Sequence, residues 1–218
     1  MADGVQNPAT KPGVAIVMRG EQGVGKGIFA QYYGKLFEPH YVQIANPKYL
    51  FGFNALLEDK MIIYGDEAFF AGNKEHEGIL KALITEDTIN IERKGKDAVR
   101  RKNFVRLIIA SNSDWVVPAM GSERRFCVID VSESKRGDHA YFQAIVDQMN
   151  NGGLEALMFI LKNRDITGAN IRNFPQTNAL KDQKIHSMTP FESWLYDSLM
   201  RGGFTVSGRV PGRGVARR

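Results

Sequence analysis

The run Gly20-Glu-Gln-Gly-Val-Gly25-Lys26-Gly27 constrains this 218-residue chain more tightly than any other segment. It follows a short apolar, β-rich run at Val14–Met18. It precedes Ile28–Phe37, where Ile28, Phe29, Tyr32, Tyr33 and Leu36 recur at helical spacing. Strand, G-x4-G-K loop and helix is the form of a phosphate-binding loop. Its glycines let the backbone turn N–H groups toward phosphate oxygens, and the helix start adds partial positive charge. The candidate nucleotide-binding residues are therefore Gly20, Glu21, Gln22, Gly23, Val24, Gly25, Lys26, Gly27 and Ile28. Lys26 can reach the β- and γ-phosphates of ATP. One element of the pattern is absent: a Ser or Thr normally follows the lysine and helps hold Mg²⁺, and Gly27 has no hydroxyl.

The rest of the chain alternates short strands with helices. Tyr41–Ile44, Met61–Tyr64, Arg106–Ala110 and Phe126–Val131 read as buried strands, with helical turns over Lys48–Leu57. Helices are expected over Glu75–Ile84, Asp138–Met149, Leu154–Asn163 and Phe191–Met200. The fold class that follows is α/β, a mainly parallel central sheet flanked by helices. In such sheets ligands sit at the carboxyl ends of strands. The polar motifs fall there: Gly20–Gly27, Asp66-Glu67 and Asn112.

Each motif has a chemical and a plain structural interpretation. Asp66 and Glu67 end the MIIYG strand forty residues beyond Lys26. Such a pair divides phosphoryl-transfer work: Asp66 holds Mg²⁺, directly or through water, and Glu67 polarises the attacking water. The alternative is an acidic cap of the next turn. Asn112 can bind the γ-phosphate or the lytic water, or simply shape a Ser-Asn-Ser turn. Arg124 and Arg125 can clamp phosphate from a neighbouring subunit, or pair with Glu123 or Asp130. Cys127, the one cysteine, excludes an internal disulfide and reads as a small core residue.

Charge needs local inspection. The chain carries 29 Lys+Arg against 24 Asp+Glu, but five arginines (Arg201, Arg209, Arg213, Arg217, Arg218) lie in the last 18 residues without an acid. Removing those five leaves 24 basic and 24 acidic residues, so bulk charge points to no nucleic-acid partner. The densest basic stretch of the body is Arg93–Arg106, with Arg93, Lys94, Lys96, Arg100, Arg101, Lys102 and Arg106 against Asp97 alone. Thr88–Glu92 and Ala98–Phe104 read as its two strands and Gly95 as the turn. The tip cations Arg93, Lys94 and Lys96 are candidate DNA-binding residues, able to hold a phosphate backbone without reading sequence. A solvated edge hairpin has the same composition. No apolar run approaches the roughly 20 residues of a membrane helix, and the start lacks an apolar signal core. A cytoplasmic setting is the expectation.

In this order the motifs resemble the superfamily 3 helicases, above all the helicase domain of phage and plasmid primase–helicases, related to the poxvirus primase–helicase. GEQGVGKGIF resembles their motif A, including the Gly after the Lys that many phage members carry. MIIYGDEAFF resembles motif B. LITEDTINIERKGKDAVRRKNFVRLIIASN is similar to their continuous stretch from helix through hairpin to motif C, ending at Asn112. ERRFCVID resembles the arginine-finger segment, with Arg125 favoured as the finger and Arg124 the alternative. The resemblance is strong over residues 12–132 and weak over 133–200. It implies an AAA+-like P-loop NTPase with a β-hairpin before the sensor-1 strand, with ATP and Mg²⁺ as cofactors. It also implies a homo-oligomer, a hexameric ring with ATP at its interfaces, acting on single-stranded or forked DNA. A primase or primase–polymerase region would belong to the full-length chain. The expected organisation is an irregular lead-in at 1–13, the ATPase core at 14–132 and a helical part of the same domain at 133–190. A short helix and Arg/Gly-rich tail at 191–218 would start a truncated unit.

Overall fold

The computed structural model describes residues 1–66, 74–119 and 123–202, with backbone alone at 74–75. Seven strands are present among them: β1 (Ala15–Arg19), β2 (Tyr41–Ile44), β3 (Ile62–Asp66), β4 (Thr88–Arg93), β5 (Lys96–Lys102), β6 (Arg106–Ser111) and β7 (Phe126–Asp130). Five form one sheet in the order β2-β3-β6-β1-β7, and every pairing in it is parallel. β4 and β5 pair antiparallel as a separate hairpin.

The sheet is covered on both faces because successive side chains alternate across it. Val17, Ile63, Leu107, Ile109 and Val128 pack with Leu80, Leu83 and Ile84 of helix α4 (Lys74–Thr85) and Leu180 of helix α7 (Asn178–His186). Met18, Ile62, Tyr64, Ile108 and Ala110 pack on the other side. There they meet Ala30 and Tyr33 of helix α2 (Lys26–Lys35), Ala2 of α1 (Ala2–Gln6) and Leu161 of α6 (Leu154–Asn163). β6 lies centrally and is buried at all six positions, as its unbroken apolar run requires. β7 is an edge strand, so Cys127 on it is half-buried rather than fully enclosed. Helices α3 (Lys48–Phe51), α5 (His139–Gln148) and α8 (Pro190–Met200) complete the set.

Three expectations need revision. Residues 1–13 are not wholly irregular: residues 2–6 are helical, and Gln6 donates to the carbonyls of Leu161 and Arg164 at 2.8 Å. Residues 48–57 are not one helical segment but α3 and a separate 3₁₀ turn at Ala55–Leu57. Helix α7 has no counterpart in the sequence pattern. Of its residues Ala179, Leu180 and Gln183 are buried, and Thr177 caps it by accepting from the Leu180 amide. The fully buried Gln183 binds the amides of Val116 and Val117 and the carbonyl of Asp114, fixing the loop that follows β6.

Of the tail arginines only Arg201 lies within the described residues. No helix among them is long and apolar enough to cross a membrane.

Candidate nucleotide-binding site

Strand register brings the motifs to one edge. Arg19, last in β1, stands opposite Ser111 of β6 and Asp130 of β7, and Asp66 of β3 stands opposite Ala110 of β6. The Gly20 amide continues the ladder by donating to the Ser111 carbonyl at 3.1 Å. The glycine loop, Asp66 and Asn112 thus leave three neighbouring strands at the same level. Because β6 runs between β1 and β3, Asn112 emerges between the loop and the acid. Its side chain is exposed.

Gly25 caps α2 with φ +93°, a left-handed conformation that suits glycine. A Cβ there would lie 2.5 Å from Cε1 of Phe142 on α5. Gly25 is therefore required twice, by its backbone angle and by the ring against it. Lys26 opens α2 and folds over the loop, donating from Nζ to the Gly20 carbonyl at 2.6 Å and the Glu21 carbonyl at 2.9 Å. On the far side, the Gly137 amide reaches the Gly23 carbonyl at 3.4 Å, and Arg136 pairs with Glu21 at 3.3 Å, both side chains about half exposed. Such an exposed pair adds little stability but puts a cation beside the loop.

Asp66 is held by two neutral donors. Tyr64 Oη donates to Oδ1 at 2.9 Å, and Gln43 Nε2 donates to Oδ2 at 3.0 Å. Tyr64 is 1% exposed and, two residues before Asp66, lies on the same face of β3. An ionised carboxylate has about four lone-pair positions, so acceptor capacity remains for a cation. Among the described residues no three His, Cys, Asp or Glu side chains gather as a metal cage. Mg²⁺ at phosphate sites takes one or two carboxylates together with substrate phosphates, and a single fixed Asp66 fits that use. Glu67 lies outside the described residues.

Arg19, which precedes the loop, binds Asp130 at 2.6 Å and Asp182 of α7 at 2.7 Å. The Asp130 hydrogen bond, with help from Asp182, raises the guanidinium above its ordinary pKa. Asp130 is thereby committed to Arg19. Of the two arginines before β7, Arg125 pairs at 3.3 Å with Glu123 of its own chain, whereas Arg124 is exposed.

The hairpin stands at the opposite end of the sheet. β5 feeds through Asn103 and Val105 into the start of β6, whereas Asn112 follows its end. Ile91 is fully buried and anchors β4 in the core, and Asn54 bonds the main chain at Asn90 and Glu92. Arg93 and Arg101 both bind Glu58, and these two hydrogen bonds hold its carboxyl below the usual range. The tip residues Lys94 and Lys96 are exposed around Gly95, whose φ is +72°. Arg106 departs from the basic surface expected of its stretch. It is 7% exposed and donates to the carbonyls of Asn7, Pro8 and Thr10, so it fastens the lead-in. Gln43 and Phe142 lie outside the sequence motifs, and Tyr64, within the MIIYG strand, reads there as an ordinary strand residue; each acts through a contact that the sequence pattern does not display.

Comparison with known proteins finds similarity to one family model and to one phage protein and its solved C-terminal region. Residues 18–125 match the model of a family of unknown function, DUF5906. Over 124 residues the chain is 36% identical to the DNA primase-polymerase of Nitratiruptor phage NrS-1, a match covering 55% of this chain and 17% of that protein. It is also similar to the apo structure of the NrS-1 C-terminal region, with a TM-score of 0.78 and 25% identity over 92% of this chain and 49% of that one. An A form apo structure of the same region gives 0.75 and 26% over 90% and 47%. The chain spans about half of these solved chains and about a sixth of the curated relative.

Proposed function

We propose that this chain is an ATP-dependent DNA helicase module of superfamily 3, serving phage or plasmid replication. The observation that carries this is the emergence of the glycine loop, Asp66 and Asn112 from three adjacent parallel strands. A basic-tipped hairpin leads directly into the middle one. The similarity to a phage primase-polymerase supports a replication role.

In this scheme the loop amides and Lys26 hold the β- and γ-phosphates of ATP, Lys26 exchanging its loop carbonyls for phosphate oxygens. Magnesium, when bound, neutralises phosphate charge, and Asp66 holds it directly or through water. Glu67, next in sequence, orients the attacking water, and Asn112 binds it or the γ-phosphate. An arginine from the neighbouring subunit stabilises the charge that develops in the transition state. Arg124 suits that task by its exposure, and Arg125 is engaged with Glu123. Subunits close into a ring, hexameric by the family resemblance, and Lys94 and Lys96 from each line a pore that takes single-stranded DNA. The six residues of β6 connect the hairpin to Asn112, so nucleotide state is passed to the DNA along that strand.

Strand displacement on forked DNA tests the proposal. Wild-type protein should separate the fork with ATP, and Lys26→Ala should not. ATP hydrolysis without strand separation would favour another P-loop DNA motor, such as a packaging or clamp-loader-like ATPase. DNA binding with ATP but no hydrolysis would mean a non-catalytic module.

A further inference from the structure

The backbone on both sides of Asn112 is tied down. Before it, the Ser111 carbonyl accepts the Gly20 amide at 3.1 Å, so β6 ends against the first residue of the glycine loop. After it, the Ser111 hydroxyl accepts the Ser113 amide at 3.0 Å. The Asp114 carbonyl then accepts from two side chains, Nε2 of Gln183 at 2.5 Å and Nη1 of Arg19 at 3.4 Å. Both donors are set by one turn of α7. Gln183 is fully buried, and its Oε1 accepts the amides of Val116 and Val117 at 2.7 and 3.2 Å. Asp182, its neighbour, binds Arg19 at 2.7 Å, and Arg19 immediately precedes Gly20. One turn further on, Ser187 Oγ accepts the Ala119 amide at 3.1 Å. Only an amide side chain can both give and accept at position 183: a carboxylate lacks the donor, and an aliphatic chain lacks both. A glutamine kept only to stabilise the 114–117 loop would need no tie to the strand that opens the glycine loop. Asp182 and Gln183 supply that tie from adjacent positions.

On the roles given above to the glycine loop and Asn112, we propose that Gln183 is a positioning residue for the response to the γ-phosphate. With Asp182 it holds the chain after Asn112 in register with the glycine loop, so that the Asn112 amide meets the γ-phosphate or the lytic water. Helix α7 is thereby part of the nucleotide response without touching the nucleotide.

The test is equilibrium binding of fluorescent ADP and of a fluorescent non-hydrolysable ATP analogue to the full chain, both with Mg²⁺. Wild type should prefer the ATP analogue. Asn112→Ala should lose about tenfold of that preference, the effect of one hydrogen bond to a charged group. Gln183→Met keeps the length of the side chain but none of its three hydrogen bonds, and should lose as much while its ADP affinity is kept. The double variant should lose no more than Asn112→Ala alone, because Gln183 acts through Asn112. Should Gln183→Met not fold, Asp182→Asn, whose side chain is 45% exposed, carries the same test with a loss of about threefold. Full preference in the folded α7 variant would overturn the proposal. Equal losses for ADP and the analogue, which mark a structural role, would do so too, as would additive losses in the double variant. In each of those results the role of Asn112 stands. An undiminished preference in Asn112→Ala would instead remove that role, and this proposal with it; absence of any binding by wild type would remove the nucleotide site itself.

Discussion

The Arg125 guanidinium rests on a carboxylate of its own chain: Nη1 lies 3.3 Å from both oxygens of Glu123, which is 5% exposed. Glu123 Oε1 also accepts the amides of Arg124 and Arg125, at 2.9 and 2.7 Å. One buried acid therefore shapes the entry to β7 and turns the two neighbouring arginines to different uses. Arg125→Ala should cost about 1–2 kcal/mol of stability in a urea melt, a figure discounted because the side chain is about a third exposed. Arg124→Ala should melt within about 0.5 kcal/mol of wild type yet lower ATP turnover about a thousandfold. If Arg125→Ala melts normally and loses turnover while Arg124→Ala does neither, the two assignments are reversed.

Gly25 offers a sharper steric test. Its φ of +93° and the 2.5 Å approach of Phe142 leave no room for a methyl group. Gly25→Ala should lose about 1–3 kcal/mol of stability and most nucleotide affinity, through strain in the loop. Phe142→Ala in the Gly25→Ala background removes the clash but not the backbone strain. It should recover part of the affinity; no recovery would mean that the ring does not set the loop.

The hairpin tip should act on DNA and leave ATP chemistry alone. Replacing Lys94 and Lys96 together by Ala should spare basal ATP hydrolysis and abolish unwinding. In salt titrations of single-stranded DNA binding, loss of two phosphate contacts should flatten the log–log slope by about 1.4. Ile91→Ala should instead cost about 2–4 kcal/mol, because that fully buried side chain anchors β4. An unchanged salt slope in the lysine variant would exclude a DNA role for the tip.

Lys11 gives the fold a pH dependence. It donates to the carbonyls of Leu83 and Val105, and burial, reinforced by Arg106, pushes its ammonium from 10.5 down to about 7. The unfolded chain therefore binds more protons than the folded one between pH 7 and 10.5. Stability should rise with pH across that window, by at most about 1.4 kcal/mol per unit, and the cost of burying the charge is fully present below pH 7. Urea melts at pH 7 and pH 9 should show a rise from this group in wild type that Lys11→Met lacks. Equal slopes in the two proteins would contradict it.

The sheet was legible in the sequence because short apolar runs and the glycine loop each carry strong local signals. Tyr41–Ile44 matches β2 residue for residue, and the Gly95 turn sits within the β4–β5 tip. Helix α7 was not legible, because its buried face is two aliphatic side chains and a glutamine whose purpose is to hold the 114–117 loop. The site was legible as a set of strand-end motifs, but its supporting contacts were not. Tyr64 and Gln43 read as ordinary strand residues until the parallel pairing of β2 with β3 sets Gln43 opposite Tyr64 and both beside Asp66. The commitment of Arg106 to the lead-in likewise depends on a contact nearly 100 residues away in sequence.

Phosphate release from ATP, measured with and without single-stranded DNA for wild type, Lys26→Ala and Glu67→Gln, tests the central claim most directly. The expected result is Mg²⁺-dependent release by wild type that DNA stimulates, falling to background in both variants. Release by wild type no greater than by Lys26→Ala, with DNA present, would contradict it.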